Sequence, residues 1–418
     1  MGASIQSAVE QLLPDAQRFL NELIRIPSLP GQEQEAMRFC EREFRQVGVQ
    51  VARVPLSNAL KADPDYSDSV PDIDYDGRFN LRVVRHGAGN GRKLILNAHA
   101  DVVPPSESMT NPFEPRIENG VVFGRGACDD KGQIALIYLI LKTLDALGVR
   151  QKGDLIGHLV VEEENGGNGS LAMVRTGEKA DGCIVLEASE RKLFTASRGC
   201  VWFHLVLYGR AGHSGQPDQT RSALLMARDA IALLERYHAN LLASSRGQPL
   251  FDVFPNPMPI TFGKLQAGNW PSSAPGRAEI EGALGFLPNK TKEQVCAELR
   301  EVLARGGDEF FARNFQLRFM YRHDSSVIDP NHALPQAFLA CARRAGVPLE
   351  IGAMPASCDA WFYNNHLGIP TVVFGAGSLK VAHSKDEQLA LRDLAEAGVI
   401  LTALVCDYCG EMAGSPLS

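Results

Sequence analysis

The side chains that could do chemistry together are His99, Asp101, Asp129, Glu163, Glu164, Glu187 and His383. Imidazole and carboxylate are the ligands that Zn²⁺ accepts alongside thiolate. Several carboxylates brought close together repel one another and raise one another's pKa. A pair of divalent cations removes that conflict, because three ligand carboxylates and one hydroxide neutralise it. Such a metal pair polarises a carbonyl and holds an attacking hydroxide, which is chemistry suited to hydrolysis.

The elements that must position these residues can be read from the apolar runs beside them. Leu94-Ile95-Leu96 runs into Asn97-Ala98-His99-Ala100-Asp101. Leu159-Val160-Val161 runs into Glu162-Glu163-Glu164, and Ile184-Val185-Leu186 runs into Glu187. Val372-Val373-Phe374 runs into a glycine-rich turn and then His383. Each run reads as a buried strand that delivers a His or a carboxylate at or beyond its C-terminal end. Open α/β sheets build their sites in the crevice beyond those ends. The run Ile134 to Leu141 reads as a buried helix behind the loop that carries Asp129.

Around these strands the chain reads as α/β. Residues 7 to 47 predict two amphipathic helices, broken at Pro27 and Pro30-Gly31. Between about 195 and 322 the texture changes. Strands are expected over Gly199–Tyr208, near 260–265 and near 278–286, with helices over Arg221–Tyr237 and Lys292–Arg305. This order predicts an α+β unit inserted into the first domain. The expected division is a discontinuous catalytic domain, 1–194 and 323–418, with an inserted domain, 195–322. Gly87 to Gly91 lies before a strand rather than between a strand and a helix, so it predicts a hairpin turn and not a nucleotide loop.

Composition narrows the function classes. The chain has 418 residues, 45% hydrophobic and 22% charged, a globular balance rather than a disordered or fibrous one. Its net charge of −7 and the lack of a long basic run argue against nucleic-acid binding. No apolar run approaches the roughly 20 residues needed to span a bilayer, and the start lacks a basic segment followed by an apolar core. The nine scattered Cys do not resemble a disulfide framework and suit a reducing, cytoplasmic setting. Cys406 and Cys409 form one CxxC in a helical run and read as helix packing. Cys128 reads as a packed thiol. The remaining histidines (His86, His158, His204, His238, His323, His332 and His366) read as surface or internally bonded groups.

The motifs that hold these residues are long and ordered: IRIPSLPGQEQEA, LNAHADVVPP, PFEPRIENGVVFGRGACDDKG, VVEEENGGNGS, VLEAS, AGHSGQP, IPTVVFGAG and AHSKDE. With them the chain resembles the co-catalytic dinuclear zinc hydrolases that include acetylornithine deacetylase, succinyl-diaminopimelate desuccinylase, glutamate carboxypeptidase and aminoacylase. The likeness covers nearly the whole chain and is greatest to the acetylornithine deacetylase-like branch. It implies a mostly parallel catalytic sheet flanked by helices and an inserted lid or dimerisation domain. It further implies that His99 and Glu187 hold one metal, that Glu164 and His383 hold the other, and that Asp129 bridges both through a cis Asp129–Asp130 peptide. Asp101 would orient His99, and Glu163 would be the general base to a metal-held hydroxide. Three consecutive Glu leave room for a one-residue slip, and the likeness places the base and ligand at the second and third. His213 would stabilise the oxyanion, reaching across a homodimer, and Asn269 would contact substrate.

The expected activity is hydrolysis of an amide in a small N-acylated amino acid or related compound, with two divalent ions, zinc or else cobalt or manganese. The resemblance implies that Glu rather than Asp at position 187 goes with deacylases and carboxypeptidases and argues against an aminopeptidase. A dipeptidase or carboxypeptidase on the same site is the alternative, and a non-catalytic binding protein is the alternative of another class. The chain departs from the resemblance where substrate carboxylates are usually bound. Trp361 and Gly285 stand at the two usual Arg positions. Trp361 there suggests an apolar contact in the pocket, and Arg198 or Arg277 could supply the missing cation.

Overall fold

The computed structural model describes residues 2–412. At its centre the strands Leu155–Val160, Leu94–His99, Gly182–Val185 and Thr371–Val373 lie side by side and parallel. On one side the sheet continues antiparallel through Phe79–Arg85 to Gln50–Pro55. On the other it continues through Lys192–Ser197, which pairs antiparallel with Ser326–Val327 and parallel with Glu350–Met354. The expected α/β fold with a mostly parallel central sheet is the one observed.

Strand periodicity assigns each side chain its face. Leu94, Leu96 and Ala98 enter the core shared with the helices Gly2–Ile24, Lys131–Ala146 and Leu391–Cys409. Ile95 enters the opposite core, with Leu171 and Val174 of the helix Asn168–Arg175 and with Phe362 and Tyr363. Asn97 points the same way and donates to Ser170 Oγ (3.1 Å) and Tyr363 Oη (3.0 Å). Covered on both faces, the strand reads as an almost unbroken apolar run. The run Ile134–Leu141 is buried within the helix Lys131–Ala146, as expected. All nine cysteines are buried and free, including Cys128, Cys406 and Cys409.

A second sheet runs in the order Ile260–Ala267, Arg277–Phe286, Gly199–Tyr208, Phe315–His323, antiparallel throughout. Val201, Phe203, Leu205 and Leu207 alternate into a separate core beneath the helices Ala223–Ser244 and Lys292–Gly306. Two readings are corrected here. The edge strand Phe315–His323 was not expected, although Phe315, Leu317 and Phe319 alternate with Gln316 and Arg318 at strand spacing and pack against the second core. Gly87–Gly91 is not a hairpin, because Leu155–Val160 lies between the strands it joins. Its glycines instead permit close backbone approach: a Cβ on Gly87 would meet Lys152 O at 2.2 Å, and one on Gly91 would meet Cys409 O at 2.1 Å. No helix among the described residues is long and apolar enough to cross a membrane.

Candidate active site

His99 closes its strand, and its surroundings fix the imidazole. Its backbone N–H donates to Asp130 Oδ2 (2.9 Å). Its Nδ1 lies 3.0 Å from Asp101 O and 3.4 Å from Asp101 Oδ1. Nε2 is therefore turned toward Asp129, 3.2 Å from Oδ1, where it makes no hydrogen bond of good geometry. Asp101 does a second job. Its carboxylate accepts the backbone N–H groups of Glu163 (3.1 Å) and Glu164 (3.0 Å), joining the end of one strand to the loop after the next.

The Glu triplet divides by partner. Glu162 turns away, to Arg78, to Tyr75 Oη (2.7 Å) and to Asn168 Nδ2 (3.0 Å). Glu164 meets His383, with Oε1 and Oε2 each 3.1 Å from Nε2. Glu163 is buried between them, without a hydrogen bond to its carboxylate among the described residues. Burial pushes that carboxyl well above its usual range, and Asp359, Glu187 and Glu164 push the same way against the pull of His99. Burial and the neighbouring acids also raise Glu187 and Asp130.

Asp129 is held from behind. Its N–H donates to Glu387 Oε1 (3.2 Å), which also accepts from Cys128 N (3.3 Å), while the other Glu387 oxygen pairs with Arg125. Gln133 ties the same loop to the turn before His383, donating to Cys128 O (3.1 Å) and Ala376 O (2.7 Å). The Asp129–Asp130 peptide is cis.

The donor atoms then fall into two groups that share one residue. His99, Asp129, Asp130 and Glu187 each place a ligand atom within 4.8 Å of the others, and so do Asp129, Glu164 and His383. His383 shows why cations suit this place. Burial lowers its pKa, but Asp129 and Glu164 overturn that and raise it to about 11. A divalent ion between these carboxylates takes the place of such a proton, and the donor set is that of a borderline-soft cation. The residues present fit a metal pair.

His213 and Asn269 lie apart from this cluster. His213 sits on a short ribbon in which Gly212–His213 pairs with Ser273–Ala274. Its Nδ1 accepts from Gly215 N (3.0 Å), and the ring is exposed. Asn269 lies in the turn leading to the same ribbon, beside Trp270, which is 67% exposed. Neither makes a hydrogen bond or ion pair to the cluster.

Trp361 does not present an open apolar wall. It is 2% exposed and packs against His323, Phe362 and His366. Gly285 explains the seat of Arg198, since a Cβ there would lie 1.6 Å from Arg198 Nη1. Arg198 donates from Nε to Pro355 O (2.7 Å) and has no carboxylate partner among the described residues. Arg277, in contrast, pairs with Glu279 (3.1 Å). Sequence reasoning missed Asp130, Glu387 and Asp359. The first two stand inside motifs already quoted, Asp130 beside Asp129 and Glu387 four residues after His383. Asp359 is buried near Glu163, bonded to Ser170 Oγ (2.5 Å), and burial raises its pKa to about 7.

Comparison with known proteins gives this site a context. The profile of the Peptidase family M20/M25/M40 matches residues 95–407. An acetylornithine deacetylase from Myxococcus xanthus is 28% identical over 339 residues, 80% of this chain and 85% of the relative. An N-formyl-4-amino-5-aminomethyl-2-methylpyrimidine deformylase from Bacillus subtilis is 25% identical over 345 residues, 76% and 80% of the two chains. The dipeptidase Dug1p from Saccharomyces cerevisiae shares the fold, with a TM-score of 0.81 at 14% identity and 98% of both chains covered. The chain thus belongs to Peptidase family M20/M25/M40 and is an enzyme that hydrolyses amide or peptide bonds.

Proposed function

We propose that this enzyme is a metal-dependent deacylase, acting on the amide bond of a small N-acylated amino acid or related amide. The observation that carries the reading is the pair of donor groups joined at Asp129, with the buried carboxyl of Glu163 beside them. His99 and Glu187 would hold one ion, Glu164 and His383 the other, and Asp129 both. Zinc suits this donor set, and cobalt or manganese are the substitutes. When bound, such a pair supplies Lewis-acid polarisation of the amide carbonyl and makes a water acidic enough to attack at neutral pH.

The chain's own residues do the rest. Glu163 takes the proton of the attacking water and returns it to the leaving amine nitrogen, a task that favours a carboxyl with a raised pKa. Asp101 keeps the His99 ring in place and the Glu163 backbone fixed. His213, an exposed ring whose Nδ1 already accepts from Gly215 N, would donate from Nε2 to the developing oxyanion from the partner subunit of a homodimer. Asn269, on the same ribbon, would contact substrate. Residues 195–322 are taken as the inserted lid and dimerisation domain, residues 1–194 and 323–418 as the catalytic domain, and the cytoplasm as the setting.

Of the two candidate cations, Arg198 is the one left without a carboxylate partner among the described residues, and it is taken as the partner of a substrate carboxylate. Gly285 pairs with Cys200, Cys200 pairs with His323, and His323 Nε2 lies 3.0 Å from Gly166 O in the Glu163 loop. The test is a panel of N-acetyl and N-formyl amino acids, dipeptides and amides lacking a carboxylate, run with Zn²⁺, Co²⁺ and Mn²⁺. N-acyl amino acids are expected to be turned over fastest. Arg198→Met should raise KM for carboxylate substrates by about 10- to 100-fold, the worth of a charged hydrogen bond, and leave uncharged amides unchanged. Preference for dipeptides would overturn the deacylase reading, and an equal KM change across the panel would overturn the role of Arg198.

A further inference from the structure

Between the strands Gln50–Pro55 and Phe79–Arg85 the chain leaves the central sheet for a polar excursion that the chemistry above does not use. Part of it, residues 63–69, lies between the edge strand Phe315–His323 of the second sheet and the loop that carries Glu163 and Glu164. Toward the strand, Asp68 N donates to Met320 O (2.7 Å), Arg322 Nη2 donates to Pro64 O (2.8 Å), and Arg318 pairs with the Asp68 carboxylate. Toward the loop, Ser67 exchanges two bonds with the Asn168 side chain (3.0 and 2.9 Å), and Ser69 Oγ donates to Asn165 O. The same Asn168 amide donates to Glu162. Gly166 has no room for a side chain, because a Cβ there would lie 2.1 Å from Ser67 Cβ.

Asp65 stands at the centre of this stretch. Its carboxylate pairs with Lys292 at the start of the helix Lys292–Gly306, which covers the second sheet, and with Arg175 Nη2 (3.0 Å) beneath the central sheet. His366 Nε2 is 3.6 Å away. Lys292 Nζ also lies 4.6 Å from the centre of the Trp361 ring. The Asp65 and Lys292 side chains are only 14% and 12% exposed, so water screens their attraction little. A shielded ion pair whose partners belong to different sheets resists any change of angle between them.

We propose that residues 63–69 are a tie that fixes the second unit on the central sheet and, through Asn168, the loop bearing Glu163, with Asp65 as the positioning residue. The kinetic part of the test rests on the deacylase reading; the geometric part does not. Full-length, metal-loaded Asp65→Asn, Lys292→Met, the double variant and Lys292→Arg are compared with the wild type. Spin labels at the exposed Glu35 and Arg246 report the distance between the units.

Each neutral single variant should lower kcat about tenfold, the scale of coupling within one ion-pair network, and broaden the distance distribution. The double variant should be no worse than either single one, and Lys292→Arg should behave as wild type. A lower melting temperature with kcat and distances unchanged would make the segment mere packing and overturn the tie, as would additive losses. If Asp65→Asn does not fold, Lys292→Met against Lys292→Arg makes the same comparison. If the wild type hydrolyses no amide, the deacylase reading fails, while the distances still decide the tie: narrow in Lys292→Met overturns it, broadened supports it.

Discussion

Glu163→Gln should retain both metal ions and its fold while losing about 10²- to 10⁴-fold in kcat, the range of general acid–base catalysis. The substitution keeps the size of the side chain and removes only its capacity to take a proton. The loop should not move, because Asp101 holds it through the backbone N–H groups of residues 163 and 164. Neither neighbour in the triplet is free to take over the task. Glu162 is committed to Arg78, Tyr75 and Asn168, and Glu164 to His383. KM should change little, since the lost interaction belongs to the transition state. Steady-state kinetics with metal analysis of the same sample checks this. A variant that keeps its metal and most of its rate would mean that another carboxylate is the base.

Asp129→Asn should act on the metals themselves. Asp129 is the residue that both donor groups share. Asn keeps the shape but offers one neutral oxygen where a carboxylate offered two charged ones. The loop should survive, because it hangs on backbone N–H donation to Glu387 and not on the Asp129 side chain. The expected result is a fall from two bound ions to one or none, with a loss of rate at least as large as that of Glu163→Gln. Asp130→Asn is the control. Asp130 mainly accepts the His99 N–H, so its substitution should cost less of both. Two full equivalents of tightly held metal in Asp129→Asn would remove Asp129 from the bridging position.

What could be read in the sequence has a common physical basis. A strand buried on both faces leaves a continuous apolar run, and the polar residue that follows marks the sheet edge where sites form. The strand ends that carry His99, the triplet Glu162–Glu164, Glu187 and His383 were legible for that reason, while it was the resemblance that singled out Glu164 within the triplet. What could not be read depends on contacts between distant segments. Leu155–Val160 enters the sheet between strands adjacent in sequence, so nothing local to Gly87–Gly91 excludes a hairpin. Phe315–His323 is the exception, since Phe315, Leu317 and Phe319 alternate with Gln316 and Arg318 and the strand was there to be read. Asp65 and Ser67 sit in a stretch rich in Asp, Ser and Pro that reads as loop, and their significance comes only from partners such as Lys292 and Asn168. Trp361 was expected to offer an apolar contact in the pocket, yet its burial is decided by His323 and His366.

On the proposed function, two divalent ions held at these residues make amide hydrolysis possible. The most direct measurement is to strip the purified protein with a chelator, confirm metal-free material by elemental analysis, and titrate Zn²⁺ back while following hydrolysis of an N-acyl amino acid. The expected result is negligible activity without metal and full recovery at two equivalents per chain. Full activity in the metal-free protein, or saturation with no hydrolysis at any metal loading, would contradict it.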